Sequence, residues 1–180
     1  MRLFVGIRLN AELAAALEAV QQQLRAQGVR ARYTRFDNLH LTLAFIGETP
    51  FAAEAEAAMA RVCAAEFNVP LRLSLSHFGF FHGRGGDTIW VGLGEDPALI
   101  SFQSALVKEL LAAGFDIERR KFRPHVTLAR QADSQDAWVE VPERSMFATE
   151  VALIRSEVTK AGREYTDLAS FACPSYSQGG

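Results

Sequence analysis

Two of the chain's four histidines stand in matching stretches, His40-Leu41-Thr42-Leu43-Ala44 and His125-Val126-Thr127-Leu128-Ala129. Imidazole exchanges protons near neutrality, with an ordinary pKa of about 6.5, and a hydroxyl two residues away can donate a hydrogen bond to developing negative charge. Side chains alternate faces along an extended strand, so His40 and Thr42 share one face while Leu41 and Leu43 take the other. The same parity joins His125 to Thr127 and separates them from Val126 and Leu128. A single His-x-Thr in a strand is most simply a satisfied polar pair. Two copies are different, because hydrophobic packing has no need of His and Thr at equivalent places in both. Set around one reacting atom, the pairs would let one imidazole give a proton while the other takes one, which is general acid-base chemistry.

The flanking elements say how the pairs could meet. Residues 2 to 9 alternate as a strand, and Asn10 is placed to cap a helix running to Gln27, with Leu13, Leu17, Val20 and Leu24 as its apolar stripe and Gly28 as its stop. A short basic link leads to a strand from Leu39 to Ile46, closed by Gly47, and a helix is expected over 51 to 65. Leu71 to Phe81 and Thr88 to Leu93 read as a hairpin around the Gly83-Arg84-Gly85-Gly86 loop. A third helix over 97 to 113 precedes a strand from 124 to 130 and a polar stretch to Ser145. Phe147 to Val158 and Glu164 to Phe171 read as a final hairpin turning at Gly162, and Pro174 to Gly180 as a loose polar tail.

Order and spacing repeat. Val5-Gly6, helix, basic link and His40 in the first half answer Val91-Gly92, helix, basic link and His125 in the second, displaced by 86 and 85 residues. The expectation is one α+β domain over 1–173, built as two pseudo-symmetric lobes of mainly antiparallel sheet around a central cleft, with helices outside. Parallel doubly wound folds fit less well, since two hairpins imply antiparallel pairing and no glycine-rich phosphate loop follows a strand.

Composition narrows the rest. With 180 residues, 49% hydrophobic and 22% charged, the chain can bury a core and is neither disordered nor multidomain. A net charge of -2 excludes a whole-surface grip on nucleic acid, so any anion must be held locally. Arg25, Arg30, Arg32, Arg35, Arg119, Arg120, Lys121, Arg123 and Arg130 flank the motifs and would make a local cationic cleft suited to a small phosphorylated ligand. At least half of them read as solvated link residues, with Arg123 and Arg130 the better contacts. Cys63 and Cys173 show no metal or disulfide spacing and read as free thiols. His77 and His82 lack a third ligand, so no metal is expected, and the Gly83 to Gly86 loop lacks a P-loop's Lys-Ser/Thr. Phe45, Phe78, Phe80 and Phe81 read as core, although an aromatic near the cleft could stack on a base. No apolar run suits a signal peptide or a membrane span, so the protein is expected in the cytoplasm.

The stretches H40LTLAFIG47 and F122RPHVTLAR130, with R2LFVGI7 at the start and Ser156, Gly162, Tyr165 and Leu168 near the end, resemble the 2H phosphoesterase superfamily. Within it the chain is similar to the RNA 2′,3′-cyclic phosphodiesterases, historically called 2′-5′ RNA ligases. Tyr33 and Phe36 stand where relatives tend to carry Trp and Pro.

The resemblance implies metal-free and cofactor-free hydrolysis of a 2′,3′-cyclic phosphate to a 2′-phosphomonoester, acting on RNA ends or small nucleotides, with 2′-5′ joining as the reverse reaction. It makes His40 the general acid on the 3′ oxygen, His125 the general base, and Thr42 and Thr127 the phosphate-binding hydroxyls. Arg123, Arg130 and Phe45 are further substrate contacts, and a monomer is expected. Two alternatives stand beside it: a 2H phosphodiesterase for another cyclic or 2′-5′ linked nucleotide, and a non-catalytic module that binds RNA ends.

Overall fold

The computed structural model describes residues 1–133 and 136–174. The elements run β1 (Arg2–Arg8), α1 (Ala11–Ala26), β2 (Arg30–Tyr33), a 3-10 turn (Phe36–Asn38), β3 (His40–Glu48), α2 (Ala52–Glu66), β4 (Leu71–Phe81), β5 (Asp87–Leu93), α3 (Pro97–Ala112), β6 (His125–Asp133), β7 (Ser145–Ala148), β8 (Glu150–Thr159) and β9 (Gly162–Ala172). Every strand pairing is antiparallel, and the architecture is α+β.

The strand order is β7-β4-β5-β6-β3-β1-β8-β9, with β2 on β6. It reads alike outward from the β3–β6 junction: each motif strand is followed by the strand that opens its half, then by two more. Among the described residues only Leu41 and Val126 pair across that junction. Helices reinforce it by crossing over, for α1, which follows β1, packs on β6, whereas α3, which follows β5, packs on β3 and β4. α1 buries the stripe expected of it, Leu13, Leu17, Val20 and Leu24, and Asn10 Oδ1 caps it by accepting from the Leu13 N–H at 2.9 Å. α2 and α3 pack together, with the Phe67 and Phe102 rings 5.4 Å apart.

Three expectations need correction. The first basic link is partly a strand, because β2 pairs Arg30 to Tyr33 with Asp133 to Ala129 where β6 has diverged from β3. The expected strand Phe147 to Val158 is two strands: β7 pairs with β4, and after the single residue Thr149, β8 pairs with β1 and β9. One residue spans about 3.8 Å, so the sheet bends far enough to bring the start of β4 beside β8. Finally, Val5-Gly6 and Val91-Gly92 are not equivalent. Gly6 lies across from Thr42 but Gly92 across from His125, which makes Ile7 and Val91, partners of Leu41 and Val126, the matching pair.

The Gly83 to Gly86 loop is the β4–β5 turn, with the Gly86 N–H donating to Gly83 O at 3.2 Å. Of the tail, 175–180 lie outside the described residues. Cys63 is a buried free thiol whose pKa burial pushes up to about 12, and Cys173 is buried as well.

Candidate active site

Leu41 and Val126 are fully buried in the core, so His40, Thr42, His125 and Thr127 face the other way, onto the open side of the sheet. All four are half-buried there. Continuing the antiparallel register one residue either way from Leu41–Val126 sets His40 across from Thr127 and Thr42 across from His125. The two motifs thus form one four-cornered cluster with the pseudo-two-fold through its centre.

Each imidazole is held alike. His40 Nδ1 lies 2.7 Å from Asn38 O, and His125 Nδ1 lies 2.7 Å from Arg123 O. A carbonyl only accepts, so both Nδ1 atoms carry the proton, and the neutral rings present a bare Nε2. His40 Nε2 then accepts from the Thr42 hydroxyl at 3.0 Å. His125 Nε2 has no partner among the described residues.

Both strands carry the same irregularity. The registers pair Thr42 with Gly6 and Ala44 with Val5, and Thr127 with Trp90 and Ala129 with Ile89, leaving Leu43 and Leu128 as the extra residues of two bulges. A bulge reverses facing parity. Phe45 and Arg130, which simple alternation would put with the core residues, therefore return to the histidine face. Phe45 is 47% exposed, with the Arg2 guanidinium 4.8 Å from its ring centre.

The bulge carbonyls are taken by glutamines of the opposite half's helix. Gln21 Nε2 in α1 donates to Leu128 O at 2.9 Å and to Thr34 O at 2.8 Å, and Gln103 Nε2 in α3 donates to Leu43 O at 3.0 Å. Sequence reading missed both glutamines. The detectable signal was a polar Gln21 among the buried positions of an apolar stripe.

The two imidazoles differ in their surroundings. The His40 ring lies 4.8 Å from Phe4 and 5.1 Å from Tyr165, and burial pushes its pKa down to about 4, with the charges of Arg8, Arg130 and His125 adding to the effect and the Asn38 carbonyl opposing it. Its surroundings are pinned. Arg8 donates to Asp167 Oδ1 from Nε and Nη2 at 2.9 and 2.8 Å and to Asp37 O from Nη1 at 3.1 Å, and Asn38 Nδ2 donates to Arg163 O at 2.8 Å. Tyr165 has its pKa raised by burial, against the opposing charges of Arg163, Arg130, Arg2 and Arg8. His125 lies instead beside Phe81 at 5.4 Å and Trp90 at 5.9 Å.

The cations near the cluster are mostly not the expected ones. Arg25 stacks on Tyr33 at 4.1 Å, Arg35 pairs with Asp37, Arg120 pairs with Glu118, and Arg119 and Lys121 line a groove beside α3. Arg130 is close enough to act on His40, and Arg123 brings its main-chain carbonyl to His125. Arg2, Arg8 and Arg163 escaped sequence reading because they come from β1 and β9, far along the chain from either motif. Of the expected core aromatics, Phe78 and Phe80 pack on the core, whereas Phe81 is 44% exposed. His82 Nδ1 lies 3.0 Å from Asp87 Oδ1, and among the described residues no three His, Cys, Asp or Glu side chains are grouped to hold a metal ion.

An antiparallel α+β sheet with paired His-x-Thr motifs over its central junction defines a class, and the family comparison agrees. The 2′-5′ RNA ligase superfamily profile matches residues 9–160, and the chain belongs to that superfamily. It is 31% identical to the RNA 2′,3′-cyclic phosphodiesterase of Thermus thermophilus, over 96% of this chain and 90% of that protein. The Geobacillus stearothermophilus protein of the same name is 27% identical over 93% of this chain, which spans 56% of that relative's length. The crystal structure of Escherichia coli LigT complexed with 3′-AMP superposes with a TM-score of 0.75 at 29% identity, covering 96% of this chain and 97% of that one.

Proposed function

We propose that the protein hydrolyses 2′,3′-cyclic phosphates on RNA ends or nucleotides to 2′-phosphomonoesters, with His40 and His125 as the acid-base pair. The observation that carries this reading is the four-cornered cluster, in which two imidazoles with bare Nε2 atoms flank one surface point. The names of the relatives and the 3′-AMP in the Escherichia coli LigT crystal support the substrate class.

In the reaction a water oxygen bonds to phosphorus, the bond from phosphorus to the 3′ oxygen breaks, and that oxygen leaves with a proton. His125 takes the proton from water, and His40 gives one to the 3′ oxygen. Because burial above all keeps His40 neutral in the free site, its role as acid requires that the bound phosphate's negative charge raise its proton affinity, in part by offsetting Arg8 and Arg130. Protonation turns Nε2 from acceptor to donor. The Thr42 hydroxyl is then released to donate to a non-bridging phosphate oxygen, as Thr127 does from the other side. Arg130 and Arg123 serve as phosphate contacts and Phe45 as a base contact. Two histidines suffice for the proton transfers, so no metal or cofactor is invoked.

The low proton affinity of His40 specifically favours a second assignment, in which His40 is the base and His125 the acid. The reading takes 1–173 as one internally duplicated, two-lobed unit working as a monomer, supported by one chain supplying both motifs to a continuous sheet, and takes the cytoplasm as its compartment. The test is incubation of RNA ending in a 2′,3′-cyclic phosphate in excess EDTA. A 2′-phosphate product supports the reading; a 3′-phosphate or no turnover contradicts the chemistry, and turnover only after a divalent ion is restored contradicts its metal independence.

A further inference from the structure

We propose that the open face of β4 and β5 beyond His125 is a stacking subsite for the base of the nucleotide that precedes the cyclic-phosphate end of an RNA strand. This rests on the reading of His40 and His125 given above.

His77, Gly79 and Phe81 share one face of β4, and register places His77 across from Gly92 and Trp90 across from Gly79. Each ring lies over the glycine opposite. A Cβ on Gly79 would come within 2.4 Å of the Trp90 indole, and one on Gly92 within 2.3 Å of the His77 ring. The two glycines thus let both rings approach the backbone opposite, with the His77 ring edge-on to the Trp90 indole at 89° and Phe81 tilted 35° from it. Centroid separations are 5.3 Å from His77 to Trp90, 5.1 Å from Trp90 to Phe81 and 5.4 Å from Phe81 to His125. A continuous row of rings leads away from the reacting position, and the Trp90 and Phe81 faces, 35° apart, form its floor.

The floor is not core. His77 and Phe81 are exposed, while the opposite face of β4 sends Phe78 and Phe80 inward. Among the described residues it is also uncovered by any further strand, in contrast to the other half. There, β9 runs the length of β8 and lays Tyr165 over Phe4 and His40, whereas β7 pairs with β4 only over Leu71–Ser74 and stops short of the rings. Exposed aromatic surface beside a free strand edge is an aggregation hazard unless something occupies it.

Continuity with His125 identifies the occupant. A strand whose terminal phosphate sits at His125 and Thr127 must send its preceding nucleotide outward, and an aromatic floor accepts any base because every base has a π-face. A protein partner has no such connection to the phosphate.

The experiment compares adenosine 2′,3′-cyclic phosphate with the dinucleotide ApA carrying the same cyclic end, for wild type, His77→Ala and His77→Leu. Stacking is worth about 5-fold to about 10²-fold per base. The expected result is that kcat/KM on the dinucleotide falls at least about fivefold in each variant, through KM, with mononucleotide turnover within about twofold of wild type. Equal losses on both substrates, or no loss on either, would overturn the subsite. If wild type turns over neither substrate, the hydrolytic reading fails, and the same comparison is made by titrating 2′-phosphorylated adenosine and ApA. There, a selective loss of dinucleotide affinity supports the subsite and its absence overturns it.

Discussion

The two halves of the sheet carry the same five-residue motif, the same bulge and the same carbonyl-held imidazole, yet they treat the imidazole differently. In the β3 half, β9 returns to cover it: Tyr165 and Phe4 exclude water from His40, and Arg8 is locked beside it by Asp167. In the β6 half the corresponding outer strand is four residues long, and His125 borders an open aromatic face. In the proposed mechanism the repeated motif supplies two like imidazoles, while acid-base catalysis needs two unequal ones. What lies three strands away gives them different surroundings.

The largest expected effect comes from removing either carrier. His40→Ala and His125→Ala should each lower hydrolysis of a cyclic phosphate by at least about 10²-fold, the low end for one general acid or base. Repeating the assay on a nucleoside phosphodiester with a p-nitrophenolate leaving group sharpens the contrast, since that group departs without a proton. The variant lacking the acid should recover there, His40→Ala under the first assignment and His125→Ala under the reversed one. Near-wild-type turnover of the cyclic phosphate by either variant would break the pairing altogether.

The pH dependence of folding tests the inequality without any substrate. The native pKa of His40, about 4, lies below the ordinary unfolded value of about 6.5. Between those values the unfolded chain binds the extra proton, so stability is fully present above pH ~6.5 and falls as pH drops, by about 3 kcal/mol in total at 1.36 kcal/mol per unit. Urea unfolding at a series of pH values should show this component in wild type and in His125→Gln but not in His40→Gln. Equal slopes for all three would mean that the covered half does not depress its histidine.

A smaller effect is expected from the glutamines that satisfy the bulges. Gln21→Leu strips a buried donor from Leu128 O and Thr34 O, and Gln103→Leu strips one from Leu43 O. Each should cost about 1–3 kcal/mol of stability as carbonyls lose a donor. Each should also lower kcat/KM by roughly tenfold, within the range that small misplacements of reacting groups cause. Lost stability with unchanged kinetics would show that the bulges shape the fold without aiming the site.

What could be read from the residues alone followed from short-range periodicity. Strand parity put His40 with Thr42 and His125 with Thr127, the α1 stripe and its Asn10 cap marked the first helix, and the spacing of the two motifs placed them in corresponding strands. These depend on geometry within a few residues, which a sequence carries in full. Parity failed beyond Leu43 and Leu128, because a bulge depends on what satisfies the extra residue's carbonyl, and here that is a glutamine from the other half's helix, joined at Leu128 O by the Thr34 N–H. The link became β2 only because β6 diverges from β3 and leaves an edge to pair. Phe147 to Val158 broke at Thr149 because its two parts have different partners. The different environments of the histidines come from β9, whose Tyr165 reaches His40 across 125 residues of chain. Burial and charge act through space, so the low proton affinity of His40 was decided by tertiary packing, whereas the presence and facing of the pair were already written in the strands.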